Sequence, residues 1–174
     1  MNLSTKAPTL ARRRLLSLLS VLGLAPRASV AAPPSEAAAI GAKVPPALNL
    51  SRAEWKERLT GAQFSVLRDE GTERPHSSPL NGEKRGGVYA CAGCALELFS
   101  SEMKYDSGTG WPSFFTTLPG AFGTRTDFKA IYPRTEYHCT RCGGHHGHVF
   151  DDGPPPTGKR YCNNGVALTF KPAA

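Results

Sequence analysis

Glu136-Tyr137-His138-Cys139-Thr140-Arg141-Cys142-Gly143-Gly144-His145-His146-Gly147-His148-Val149-Phe150 is the stretch from which the rest of the chain can be read. Its two ends, Glu136–His138 and Gly147–Phe150, read as short strands, and a C-x-x-C turn followed by two glycines lies between them. The same texture recurs outward, at Val88–Ala90, Phe128–Tyr132 and Val166–Phe170, each bounded by Gly or Pro. That pattern predicts a mainly β, antiparallel chain. Upstream, Ser51-Arg52-Ala53-Glu54 matches a capping box, and Trp55 and Leu59 share a face, so a short N-terminal helix is expected from Arg52 to about Leu59. Gln63–Leu67 reads as a short extended segment and Asp69–Gly87 as loop. There is no internal repeat beyond the two C-x-x-C turns, no heptad and no long helix.

The chain has 174 residues and five cysteines, and their spacing leaves one over. Cys91 and Cys94 form one C-x-x-C pair, Cys139 and Cys142 the second, and Cys162 stands alone. Two such pairs can give four thiolates to one tetrahedral zinc, about 2.3 Å from each sulfur. The 44 residues between Cys94 and Cys139 exceed the spacer of a compact zinc ribbon, so the two knuckles are expected from opposite ends of a sheet. A single zinc here would be closed and structural. Two other readings stay open. Cys139, Cys142, His145 and His148 could form a Cys2His2 set, and each C-x-x-C pair could close as a strained disulfide in an oxidising compartment.

Cys162 follows Lys159 and Arg160, whose charge would favour a thiolate. An inert buried thiol is the ordinary alternative. His145, His146 and His148 lie some 15 residues upstream, and if a strand carries Gly147 to Phe150, His145 and His148 need not share a face. In Asp106-Ser107-Gly108-Thr109-Gly110-Trp111-Pro112-Ser113-Phe114-Phe115, two glycines and a proline could hold Trp111 as one wall of a pocket, or simply pack it in a core.

The formal net charge is +7, and Lys6, Arg12, Arg13, Arg14 and Arg27 supply five of those charges within residues 1–31, which contain no acid. The remaining +2 requires no basic patch, which argues against a nucleic-acid partner. Arg12-Arg13-Arg14 precedes a ten-residue apolar run from Leu15 to Leu24, followed by Ala28-Ser29-Val30-Ala31-Ala32. This is the form of a signal peptide of the twin-arginine type over 1–31, a route that carries folded proteins, and it predicts an exported, periplasmic protein. An organellar transit peptide is the alternative. The run is too short to span a bilayer, so no stable membrane insertion is expected. Residues 32–48 form an Ala/Pro-rich linker, and 49–172 the folded domain.

Taken together these blocks resemble the B-type methionine sulfoxide reductases, from about Leu59 to Phe170. The resemblance is carried by Gly71-Thr72-Glu73-Arg74-Pro75, Cys91-x-x-Cys94, the Asp106–Phe114 loop, Cys139-x-x-Cys142, Gly147-His148-Val149-Phe150-Asp151-Asp152-Gly153-Pro154 and Pro156-Thr157-Gly158-Lys159-Arg160-Tyr161-Cys162. It implies two antiparallel sheets, zinc held by Cys91, Cys94, Cys139 and Cys142, and Cys162 as the nucleophile that attacks the sulfur of a methionine sulfoxide. His148 would donate a proton to the sulfoxide oxygen, His145 and Asn164 would assist, and Trp111 would pack against the substrate's methyl group. The R epimer would be the one reduced, in proteins and peptides, with a sulfenic acid left on Cys162.

Three departures from the family pattern matter. Thr109 stands where many members carry a resolving cysteine, so regeneration is expected from an external thiol or a thioredoxin-like donor. Asn163 and Gly165 replace a usual apolar residue and a usual Ser. His76 and His146 occupy positions often apolar. A monomer is the plain expectation. Two other functions fit parts of the sequence: a non-catalytic zinc module that binds a partner protein, which would not need Cys162, and zinc hydrolysis through His145 and His148, which would need an open coordination position.

Overall fold

A computed structural model describes residues 45–174, so the signal segment 1–31 and all but the end of the 32–48 linker lie outside the described residues. The description opens with two short helices. In α1 (Arg52–Arg58) the Ser51 side chain accepts from the Glu54 N–H while Glu54 reaches back to the Ser51 N–H, the reciprocal cap that the sequence shows. In α2 (Gly61–Asp69) Thr60 and Gln63 repeat this device, and the helix ends at Glu70 in the left-handed conformation. Gln63–Leu67 is therefore helical rather than extended. The Phe64-Ser65-Val66 alternation imitates a strand, but the cap fixes the first turn, and Phe64 and Leu67, three apart, turn one face inward.

Nine strands follow: β1 (Gly87–Cys91), β2 (Glu97–Ser100), β3 (Lys104–Tyr105), β4 (Ser113–Phe114), β5 (Phe122–Asp127), β6 (Arg134–Cys139), β7 (His145–Phe150), β8 (Arg160–Asn163) and β9 (Leu168–Pro172). They form two antiparallel sheets, one of three strands in the order β2-β1-β9 and one of six in the order β3-β4-β8-β7-β6-β5. The mainly β expectation, with two sheets and a short N-terminal helix, holds.

An aromatic core joins the sheets. Phe99 of β2 stacks on Phe114 of β4 with ring centroids 3.8 Å apart, and Tyr89 of β1 meets Phe114 edge-on at 5.1 Å. Such pairs add roughly 0.5–1.5 kcal/mol each beyond the area they bury. Leu98, Leu118 and Tyr137 complete this fully buried layer.

Two expected strands are redrawn. Phe128–Tyr132 is a loop, because β5 ends at Asp127, whose carboxylate accepts the Lys129 N–H at 2.8 Å in an Asx turn, and Pro133 follows. Val166–Phe170 is split between a 3-10 turn over Gly165–Ala167 and β9.

Candidate active site and metal centre

Both C-x-x-C turns are hairpin tips. Cys91 closes β1 and its carbonyl accepts from the Ala95 N–H at 2.8 Å; Cys139 closes β6 and its carbonyl accepts from Gly143 at the same distance. The two tips belong to different sheets, not to opposite ends of one sheet. The third strand beside β1 is β9 rather than any strand of the larger sheet, so the quartet bridges the two layers. The Sγ atoms of Cys91 and Cys142 lie 3.7 Å apart and those of Cys94 and Cys139 3.5 Å apart, with all four within 4.8 Å of one another. Sulfurs about 2.3 Å from one tetrahedral centre stand roughly 3.8 Å apart, whereas a disulfide needs about 2.05 Å. The quartet can thus hold a metal ion, and all four cysteines are buried and unpaired. Neither His145 nor His148 joins it, because each is committed to a carboxylate elsewhere.

Two arginines from the helices and one from the second C-x-x-C turn brace these knuckles. Arg58 donates to the Gly93 carbonyl at 3.0 Å, Arg68 to the Cys142 carbonyl at 3.0 Å, and Arg141 to the Cys94 carbonyl at 2.7 Å. His146 is fully buried beside them, its Nε2 3.4 Å from the Cys91 sulfur. Burial above all lowers its pKa, to about 3, so this imidazole is neutral.

Cys162 lies on β8 directly opposite His148 of β7. The question of whether His145 and His148 share a face is answered by an irregularity. Tyr137 pairs with Gly147 and Glu136 with His148, but His138 pairs with His145, which leaves His146 as an extra residue. Such a bulge resets the two-residue alternation. His145 and His148 therefore come to one face with ring centroids 5.4 Å apart, while His146 turns into the core. Gly147 is where the strands crowd: a Cβ there would lie 1.9 Å from the Cys162 carbonyl oxygen, so no side chain fits.

Each histidine has its carboxylate. His148 Nε2 lies 2.7 Å from Asp127 Oδ2, and Asp127 also receives Arg134 at 2.7 Å. The Lys129 N–H first, then His148, holds Asp127 far below the usual carboxylate range. Burial lowers the pKa of His148, with Asp127 partly opposing it. His145 Nδ1 lies 2.8 Å from Glu136 Oε1, and Glu136 is itself buried against Arg125 at 3.0 Å. Burial pulls Glu136 upward, but His145, His138 and Arg125 together leave its pKa below normal.

For Cys162 the balance differs from the one the neighbouring basic residues led us to expect. Burial raises its pKa and outweighs Arg160 and the Thr109 hydroxyl, which lower it. Arg160 is half-committed elsewhere, forked onto Asp152 at 2.8 and 2.9 Å and lying over the Phe150 ring at 4.3 Å. Lys159 pairs with Asp151 instead. At rest, then, Cys162 is a protonated thiol beside a neutral imidazole.

A cavity of about 140 Å³ opens over this strand pair, lined by Thr72, Trp111, Arg134, His148, Phe150, Cys162 and Asn164 among others. Trp111 and Phe150 give it an apolar wall, and His148, Arg134 and Asn164 a polar one. Trp111 is fixed by its indole N–H donating to the Glu73 carbonyl at 3.1 Å, and Asn164 by accepting from the Glu73 N–H at 2.9 Å. Glu73 is anchored in turn, its carboxylate accepting from Gly165 and Val166 at 2.6 and 2.9 Å. Of the residues singled out from the sequence, Cys162, His148, Trp111 and Asn164 meet at one cavity. His145 stands behind them, buried, and does not line it.

A family model for the SelR domain matches residues 59–172. The chain is 49% identical over 128 residues to the peptide methionine sulfoxide reductase MsrB of Agrobacterium fabrum, covering 73% of this chain and 95% of that one. The enzyme of the same name from Methanosarcina barkeri is 52% identical over 126 residues, covering 72% and 89%. The chain belongs to the B-type methionine sulfoxide reductases. A third relative, the mitochondrial methionine-R-sulfoxide reductase B2 of Rattus norvegicus, is 46% identical over 142 residues, covering 76% and 81%.

Within this reductase, the departures noted from the sequence acquire locations. Thr109 sits next to Cys162. Asn163 is among the residues lining the cavity, but its side-chain polar atoms are taken up within the protein: its Oδ1 accepts from the buried Tyr137 hydroxyl at 2.9 Å and its Nδ2 donates to the Asn164 carbonyl at 2.7 Å. Its polarity is satisfied inside the core. Three participants escaped the sequence reading: Asp127, Glu136 and Glu73. Glu73 lay within a quoted motif, but nothing marked it as an anchor. Asp127 and Glu136 reach their histidines only across strands.

Proposed function

We propose that this reductase acts on the R epimer of methionine sulfoxide in peptides and proteins, with Cys162 as nucleophile. The observation that carries the reading is the shared cavity, which sets a thiol, an imidazole and an aromatic wall around a space that fits one side chain. The Cys162 sulfur attacks the sulfoxide sulfur as the thiol proton, passed by way of His148, reaches the sulfoxide oxygen. The sulfur–oxygen bond of the substrate breaks, methionine leaves, and Cys162 carries the oxygen as a sulfenic acid. An external thiol then attacks Cys162, water departs, and a second thiol restores Cys162 as a disulfide of the reductant forms. The donor, a small thiol or a thioredoxin-like protein, must come from outside because the other four thiols are committed to the quartet.

Asp127 fixes the ring of His148. His145, hydrogen-bonded to Glu136, packs against that ring from behind. Trp111 and Phe150 would receive the methyl group, and Asn164 completes the polar wall. Cys91, Cys94, Cys139 and Cys142 would hold one zinc ion, which when bound would pin the two hairpins together and contribute no redox step. Export to the periplasm by the N-terminal segment, and a monomeric state, complete the proposal; fractionation of cells and sedimentation of the purified protein test these two points.

The experiment is to incubate purified protein with dithiothreitol and each epimer of a methionine sulfoxide peptide. Methionine should form from R alone, and Cys162→Ser should lower turnover by roughly 10³-fold or more. Turnover that survives Cys162→Ser removes Cys162 from the reaction. Wild-type protein inert toward both epimers would favour a non-catalytic zinc module instead.

A further inference from the structure

Among the described residues, the large apolar side chains left in solvent are Phe128, Ile131 and Tyr132, at 76%, 105% and 63% exposure. All three stand in one loop, between β5 and β6. The polar groups of that loop, by contrast, are tied down. Asp127 accepts the Lys129 N–H, the Lys129 ammonium pairs with Glu70, and Arg134 closes the loop onto Asp127. A loop that secures its polar residues and offers its apolar ones to water inverts the ordinary partition, and contiguous exposed apolar surface marks a place where something docks.

The position of the loop says what that is. Its two ends are parts of the active site: Asp127 holds His148, and Arg134 lines the cavity. A cavity of about 140 Å³ admits a single side chain, so the residues on either side of it must lie on the rim. The loop joins Asp127 to Arg134, so it leaves and re-enters the sheet beside the cavity on the β5–β6 side. Its Lys129 is already paired, so what it presents is apolar surface rather than charge. We propose that residues 128–132 form a docking surface for the polypeptide that carries the methionine sulfoxide, and that they select segments with apolar residues flanking the oxidised methionine. The substrate class is then a polypeptide whose oxidised methionine came from an apolar stretch. This rests on the reductase reading given above.

The test compares wild type with the variant Phe128→Ser/Ile131→Ser/Tyr132→Ser on three substrates, with dithiothreitol as reductant. The substrates are N-acetyl-methionine-(R)-sulfoxide, a peptide with Leu, Val and Phe beside the sulfoxide, and a peptide with Ser, Asp and Gly there. Wild type should prefer the apolar peptide over the polar one by roughly tenfold in kcat/KM. The variant should lose that preference through KM and keep its activity on the acetylated amino acid. A second variant, Ile131→Asp, changes a side chain that touches nothing and should show part of the same loss. No preference in the wild type, no loss in either variant, or an equal loss on all three substrates would overturn the proposal. So would a loop effect confined to sedimentation with phospholipid vesicles, which would assign the patch to a membrane surface. Wild-type protein inert toward all three substrates would instead sink the reductase reading itself.

Discussion

Cys162 and His148 face one another as a register pair on adjacent strands, so the thiol and the imidazole are positioned by backbone hydrogen bonding rather than by loop conformation. Their chemical states follow from burial: both are neutral at rest, since burial raises the thiol and lowers the imidazole. In the proposed reaction, the proton bound for the sulfoxide oxygen is thus already in the site, on sulfur.

Asp127→Asn should separate positioning from fold. Asp127 works to raise the pKa of His148 against burial, so its removal lowers that pKa further. The acid limb of the kcat/KM profile should move to lower pH, with activity falling roughly 10–100-fold. The same pair bears on stability. Asp127 and Glu136 have folded pKa values below normal, so their contribution is present above the ordinary carboxylate range and is lost progressively as pH falls from that range down through their depressed folded values. His148, also lowered, begins to destabilise the fold below about pH 6.5, where the unfolded chain takes up the proton. Melting temperatures should fall from pH 7 to pH 3 in wild type.

Arg160→Met should make Cys162 a poorer nucleophile. Arg160 is the leading influence that lowers the thiol against burial, so without it the pKa rises further. Alkylation of Cys162 by iodoacetamide at pH 7 should slow roughly tenfold, with the rate recovered at higher pH. Arg160→Lys keeps a charge without the fork onto Asp152 and should fall between. An unchanged alkylation profile in Arg160→Met would contradict this account.

Cys139→Ser tests the quartet. Four sulfurs crowded in a buried site cannot all be thiolates without a cation among them, so wild type should bind one zinc per chain, counted by metal analysis. The Ser variant should lose the metal and several kcal/mol of stability, because the two hairpin tips lose their common anchor. Thiol counting on the native, metal-loaded protein should find one reactive cysteine.

Thr109→Cys should change how the enzyme is recycled. The Thr109 hydroxyl already lies beside the Cys162 thiol, so a thiol there can attack the sulfenic acid and release water. One equivalent of sulfoxide, without added reductant, should convert the variant to an internal disulfide and leave wild type as a sulfenic acid, distinguished by intact mass. A variant that remained a sulfenic acid would show that position 109 cannot reach.

The cysteines were readable from the chain because their information is local or compositional. A C-x-x-C turn is a short-range shape, two of them imply a shared metal, and the fifth cysteine stands out by elimination. The same holds for α1, whose cap lies within four residues, and for the glycine and proline punctuation of the strands. Trp111 could be placed in a constrained loop for the same reason. Where two local signals competed, as at Phe64-Ser65-Val66, the alternation misled and the Thr60–Gln63 cap decided. Pairing across strands was not legible. That His145 and His148 share a face depends on one extra residue in β7, and a bulge is a property of the ladder between two strands, not of either strand alone. Asp127 reaches His148 from β5, past the whole of β6, and Glu136, though only nine residues from His145, meets it only once β6 and β7 pair; the partial burial that raises the Cys162 thiol is likewise a product of the assembled sheet. Residue types and short spacings therefore marked the candidate groups, while hydrogen bonding between strands and desolvation, which exist only once the sheet is assembled, set which carboxylate meets which histidine and which way the thiol and imidazole pKa values move.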